Sequence, residues 1–297
     1  LLTAIIWGTG FVAQRKAMDG MQPFAFIALR FFLGCLVLLP GLIVKKARKK
    51  TTSAFNWKTF FRGTVLPSMV VGLFLFAGTS FQQLGIVTTS ASKAGFLTSL
   101  YLVLVPVTGL FFGNKANIWV WIGVALALTG VWFLSVDLQL SVQQGDVMLL
   151  IGALFWALQI LTLDHFSPGM DSLELAYGQF LTAAVMGLVV SLLSETGPLV
   201  REASAWEPLI YSGAIAVGIG FTLQVVGQSK VNPALSSLIM GLESVFALLG
   251  GMVFLGERLS GREWLGCGLM MGAVVLVQLL GQQQKVSSNQ QEQSRSQ

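Results

Sequence analysis

Residues 237–266 read SLIMGLESVFALLGGMVFLGERLSGREWLG: a long apolar run, a polar break, and the start of a second apolar run. The same layout stands earlier in the chain. FFGNKANIWVWIG (111–123) aligns with FLGERLSGREWLG (254–266) at an offset of 143, pairing Gly113 with Gly256, Trp121 with Trp264 and Gly123 with Gly266. Self-similarity at a fixed spacing is the mark of a duplicated unit, and other pairs follow. AIIWGTGF (4–11) aligns with ALFWALQI (153–160), setting Trp7 on Trp156 at an offset of 149, and that offset also sets Arg30-Phe31 on Gln179-Phe180. FQQLG (81–85) aligns with LQVVG (223–227) at 142, setting Gln82 on Gln224. The drift from 149 to 142 places a change of loop length between the second and third apolar segments.

Ten apolar segments are expected, at roughly 1–17, 22–44, 63–83, 89–112, 117–135, 145–165, 171–193, 207–228, 232–255 and 262–280. Hydrophobic residues make up 54% of the chain and charged residues 10%, where a soluble domain carries about 25% charged. A helix needs roughly 20 apolar residues to cross a bilayer core. The expected class is therefore an all-α polytopic membrane protein in contact with the lipid bilayer. The short alternating segments of a β-barrel are absent from the sequence. Residues 1–137 and 144–281 form the two halves, each with five helices. Five is odd, so the second half enters the membrane from the opposite side. An inverted repeat of this kind gives a transporter two exchangeable conformations around a midplane site.

The first segment has no initiator Met and is short for a span, so a truncated first helix is expected rather than a signal peptide. The tail from Gln282, QQQKVSSNQQEQSRSQ, is polar and expected to be disordered.

The net charge of +5 is not a nucleic-acid signal. Lys45, Lys46, Arg48, Lys49, Lys50, Lys58 and Arg62, seven of the eighteen basic residues, fall in one loop between two apolar segments. Such a cluster is a topology signal, and it argues for both termini in the cytoplasm. Cys35 and Cys267 lie in apolar segments and read as small buried side chains rather than a disulfide framework. His165 is the single histidine, so neither a zinc site nor a His-dependent enzyme is expected. No GxxxxGK[ST] loop for ATP is present. No metal or other cofactor is expected, and the chain is not expected to be an enzyme.

Two charges sit well inside expected spans, Arg30 and Glu243. A charge at the bilayer centre costs about 2.5–3.5 kcal/mol on insertion scales, so it marks a functional site by default. Glu243 shares a helical face with Ser236 and Met240, and the equivalent face of the fourth segment carries Ala94, Thr98 and Tyr101. Trp7, Phe11 and Gln14 share a face of the first segment, and Trp156 and Gln159 a face of the sixth. Aromatic walls with a few polar groups suit a small amphipathic solute. The expected substrate or coupling residues are Glu243, Arg30, Trp7, Trp156, Tyr101, Gln82, Gln224, Gln159 and Gln179. Structural alternatives stand beside them. Glu243 can hold helices together, Arg30 can snorkel or pair with Glu243, the glutamines can bond between helices, and the tryptophans can belong to an interfacial belt. GLFFG (109–113) and GLMMG (268–272) are close-packing motifs that serve either helix packing or a homodimer.

WGTGFVAQRKAM (7–18), PFAFIALRFFLG (23–34), TSASKAGFLTSLYLVLVP (89–106) and residues 237–266 together resemble the EamA-type drug/metabolite transporters, over nearly the whole chain. The resemblance implies ten helices in two inverted five-helix repeats. It also implies a bacterial plasma (inner) membrane location and export or exchange of small metabolites, often amino acids. Two positions depart from that pattern: Ser244 stands where the family often has Pro, and the first half reads GNKAN where the second reads GERLS, leaving Glu257 without a counterpart. The expected function is a secondary transporter, either coupled to protons through Glu243 or uncoupled, with a channel-like facilitator or an intramembrane enzyme as the alternatives. A central cavity lined by the first four helices of each half is expected, with the fifth and tenth helices at the periphery.

Overall fold

The computed structural model describes residues 1–48, 57–89, 91–111, 113, 116–135, 144–247, 249 and 260–295. Lys49, Lys50, Lys115, Glu257 and Arg258 lie outside them. The described residues form helices and no strand. They are α1 (Leu2–Ala17), α2 (Pro23–Arg48), α3 (Trp57–Thr88), α4 in two pieces (Ala91–Ser99 and Tyr101–Phe111), α5 (Ile118–Ser135), α6 (Gln144–Phe166), α7 (Ser172–Ser194), α8 (Ala203–Gln228), α9 (Pro233–Gly241) and α10 (Gly261–Arg295). By length and composition, α2, α3, α6, α7 and α8 can cross a membrane, and shorter apolar helices run over Leu97–Phe111, Ile118–Gly130, Pro233–Ala247 and Trp264–Val277.

Helix ends follow from local chemistry. Asp171 accepts from the Leu173 and Glu174 amides at the start of α7, and Asn232 accepts from the Ala234 amide at the start of α9, where Pro233 occupies the first turn. Side-chain oxygens at these positions satisfy amides that have no partner inside the helix. The start of α2 is capped from another helix. The Glu195 carboxylate, at the end of α7, accepts from the Phe24 and Ala25 amides at 2.7 and 2.9 Å. At the opposite end of the same helix pair, Lys45 forms an ion pair with Asp171. α2 and α7 are thus fastened to each other at both ends.

Three helices depart from plain α geometry in their interiors, among them α3, with a π-helical turn over Phe61–Val65. α4 breaks at Leu100, and α8 contains a π-helical stretch over Tyr211–Phe221. The last helix continues to Arg295, through residues where the sequence composition favours a disordered tail. Gln, Lys and Glu are good helix formers, and a helix already nucleated extends through them at little cost.

The packing has a plain regularity. α3 lies along α6 and α1 along α8; α3 also meets α7 and α2 meets α8; α4 meets α6 and α1 meets α9. α2 packs on α7, α4 on α9 and α5 on α10. Exchanging every helix for the one five places along leaves this set unchanged. Glycines permit the closest approaches. A Cβ on Gly8 would stand 2.5 Å from the Glu243 carbonyl oxygen, and one on Gly130 would stand 2.8 Å from the Gly266 carbonyl oxygen. Outward faces carry Val37, Ile43, Leu73, Leu192 and Leu193, all exposed. Contiguous apolar surface of this extent belongs against lipid rather than water.

Candidate functional site

Between the two halves lies a cavity of about 530 Å³ of atom-free space, mouth included. Its walls come from α1, α2, α3, α4, α6, α8 and α9. None of the lining residues is from α7, which differs from the expectation that the first four helices of both halves would line it. α7 instead backs the wall, with Phe180 edge-on to Phe221 at 6.1 Å.

Arg30, Gln82, Tyr101, Trp7, Trp156, Gln224 and Glu243 all line this cavity. Gln159 and Gln179 do not. They are fully buried behind it, where Gln159 Nε2 donates to Gln179 Oε1 at 3.2 Å and Gln224 Nε2 donates to Gln159 Oε1 at 3.2 Å. Residues aligned between the two halves meet each other across the site. The rings of Trp7 and Trp156 are 6.4 Å apart, those of Phe31 and Phe180 are 6.0 Å apart, and Tyr101 OH donates to Glu243 Oε1 at 3.3 Å.

The two charges are deeply placed, Arg30 at 5% exposure and Glu243 at 3%. They form no ion pair with each other among the described residues. The Arg30–Glu243 pairing weighed from the sequence is therefore not what the structure has, nor does Arg30 snorkel to an interface. Arg30 Nη1 donates to Gln14 Oε1 at 3.0 Å, and its guanidinium lies 5.2 and 5.1 Å from the ring centres of Phe26 and Phe31. Its Nε is buried without a hydrogen-bond partner, as are Thr98 Oγ1 and Gln224 Oε1, two other cavity-lining groups. Native interiors rarely leave such groups unpaired, so each needs a partner such as a ligand or water.

A relay runs from the charge to the aromatic wall. Gln82 Nε2 donates to Gln14 Oε1 at 3.3 Å, and Trp156 Nε1 donates to Gln82 Oε1 at 2.8 Å. Trp7 Nε1 donates to the Ala216 carbonyl at 3.1 Å. Between the tryptophans stands Phe221, 4.4 Å from Trp7 and stacked on Trp156 at 5.7 Å and 15°. Phe221 was not among the residues expected from the sequence. It lies three residues before Gln224, a spacing that shares one helical face, and this was the one signal for it.

The site has the chemistry of a binding cavity: a guanidinium, a carboxyl group, an amide oxygen and a hydroxyl without partners, and an aromatic wall. Among the described residues no cluster of His, Cys, Asp or Glu has the makings of a metal site.

Comparison with known proteins agrees with this architecture. The chain is 30% identical to an uncharacterized transporter of Archaeoglobus fulgidus over 94% of its length and 84% of that protein's. It is 26% identical to the uncharacterized inner membrane transporter YedA of Escherichia coli, over 93% and 88% of the two chains. A solved crystal structure superposes with a TM-score of 0.72 at 18% identity, covering 94% of this chain and 98% of the other, which shows a shared fold. The model of the EamA-like transporter family matches twice, over residues 1–136 and 143–279. On these matches the chain is a membrane protein that belongs to the EamA-like transporter family.

Proposed function

We propose that this protein is a secondary transporter, an exporter or exchanger, of a small zwitterionic metabolite of the amino-acid kind. The observation that carries the reading is the pair Arg30 and Glu243: opposite charges buried in one cavity, not paired with each other, each held by neutral neighbours. A buried charge without a counter-charge is costly. A carboxylate at Arg30 and an ammonium group at Glu243 would relieve both costs at once, and the aromatic wall would cover the remainder of the solute. Guanidinium groups bind carboxylates through two parallel hydrogen bonds, and the unpaired Arg30 Nε is available for one of them.

The two halves work as inverted five-helix repeats in a ten-helix protein, rocking so that the cavity opens alternately to each side. The twofold regularity of the packing, the meeting of aligned residues and the doubled family match support this. Both termini are cytoplasmic, in a bacterial inner membrane; the basic cluster at Lys45–Arg62 and the relative YedA support that placement. Glu243 is the site where a proton couples to transport, if transport is driven uphill.

The test is release of metabolites from cells with and without the protein, repeated with Arg30→Gln and Glu243→Gln. Zwitterions should appear in the medium with the intact protein and fall with either variant. Release of the same solutes at the same rate by both variants would sink the reading.

A further inference from the structure

The two tryptophans of the cavity wall are aligned partners, yet they are held differently. Trp7 is fixed to main chain. Its Nε1 donates to the Ala216 carbonyl, and a Cβ on Gly220 would stand 2.8 Å from that nitrogen. Trp156 also rests on a glycine, Gly78 of α3, where a Cβ would stand 3.2 Å from Trp156 Cδ2. Gly78 and Gly220 share the offset of 142 that relates the halves. The indole N–H of Trp156, however, donates to a side chain, Gln82 Oε1, and Gln82 in turn hangs on Gln14, which holds Arg30.

We propose that Trp156, seated on Gly78 and pinned by Gln82, is the residue that sets how wide a side chain the cavity accepts. This rests on the reading of the cavity as a substrate site. Gly78 lies behind the ring and off the cavity lining, while the ring itself lines the cavity and stacks on Phe221. A Cβ added at Gly78 meets three atoms of the ring at 3.2–3.4 Å, so the ring must give by a few tenths of an ångström, away from α3 and towards the cavity. Gln82 is a positioning residue: its amide bridges the charge-binding end to the aromatic wall, and so fixes the distance between them. Trp7 is the fixed wall, since its acceptor is helix backbone.

Cavity width can be read without knowing the substrate. In a background with Cys35 and Cys267 replaced by alanine, Thr98→Cys places a thiol on the cavity lining. Its rates of modification by methyl and benzyl methanethiosulfonate compare a narrow probe with a wide one. A small change of fit in an apolar pocket alters discrimination by about tenfold or more. Gly78→Ala should therefore slow the benzyl reagent about tenfold and the methyl reagent less than about twofold. Adding Trp156→Phe to Gly78→Ala should restore the benzyl rate. If Gly78→Ala does not fold, Trp156→Phe alone should speed the benzyl reagent relative to the methyl one. In ¹⁵N-labelled protein, Gln82→Met should move the indole resonance that is lost in Trp156→Phe and leave that of Trp7 in place. An unchanged benzyl-to-methyl ratio, equal slowing of both reagents, or no recovery in the double variant would overturn the proposal. These rates do not depend on which solute is carried, so a failure of the zwitterion reading would show separately, as absent amino-acid flux with the reagent ratio still shifted.

Discussion

Gly8 and Gly10 lie in the same helix, and the same substitution at each should act in opposite directions. At Gly8 the added Cβ would stand 2.5 Å from the Glu243 carbonyl oxygen, 2.7 Å from the Ala247 amide nitrogen and 2.7 Å from the Phe246 Cβ. Two of these are backbone atoms, which cannot rotate away. Reaching an ordinary contact of about 3.4 Å requires α1 and the chain around Glu243 to separate by about 0.9 Å, and overpacking of this kind costs about 1–3 kcal/mol. The displaced segment carries Glu243 and its bond to Tyr101. At Gly10 the nearest atoms, Tyr211 Cε1 and Gln14 Nε2, are 3.9 and 4.0 Å away, an ordinary contact. Ala at Gly10 should then be neutral or stabilising by up to about 1 kcal/mol, through helix propensity alone. The assay is thermal unfolding of the purified protein in detergent, followed by a thiol-reactive dye on the buried cysteines. Gly8→Ala should melt below the parent protein and Gly10→Ala at or above it. Equal melting temperatures for the two variants would refute the close approach of α1 to the Glu243 segment.

Other outcomes follow from the same geometry. Glu195→Ala removes the acceptor for the Phe24 and Ala25 amides and should cost about 1–2 kcal/mol, the upper range of a capping loss; Glu195→Gln, which keeps one acceptor oxygen, should cost less on the same melting assay. Glu243→Gln in proteoliposomes should abolish flux driven by a pH gradient, while solute exchange persists with the weaker affinity that loss of the ammonium contact brings; an unchanged response to the gradient would remove Glu243 as the coupling site. Cysteines placed at Lys46 and Ser204 should be labelled by an impermeant reagent from opposite sides of the membrane, since the proposed inverted arrangement puts the end of α2 and the start of α8 on opposite faces. Labelling from one side would contradict that arrangement.

Much of the architecture was legible because membrane helices must be long and apolar, so segments and boundaries stand out as blocks. The duplication was legible because aligned pairs such as Trp7 and Trp156 keep their residue type. Their meeting in space, 6.4 Å apart, follows once the halves face each other. The two intramembrane charges were legible on cost alone, since few charges are tolerated at that depth. Helical phase was harder to read. Gln179 aligns with Arg30, but its side chain bonds to Gln159 behind the wall, and nothing in the sequence says which way that face turns. Phe221 was hidden for a related reason: it ends a π-helical stretch, whose wider turn shifts the phase on which a face is counted. The choice of Gln14 rather than Glu243 as the partner of Arg30 depends on the relative heights of three helices, which the sequence does not encode locally.

On the proposed function, the cavity reads two opposite charges on one solute. The test is competition against labelled phenylalanine exchange in proteoliposomes by three compounds that share a phenylethyl group: phenylalanine, phenethylamine and 3-phenylpropanoate. Each charged contact is worth about 1.5–3 kcal/mol, which converts to roughly tenfold to over a hundredfold in apparent affinity. The amine and the acid should each compete more weakly than the amino acid by such a factor. Arg30→Gln should erase the advantage of phenylalanine over the amine, and Glu243→Gln its advantage over the acid. Equal competition by all three compounds, or absence of phenylalanine exchange together with exchange of a singly charged solute, would contradict the claim.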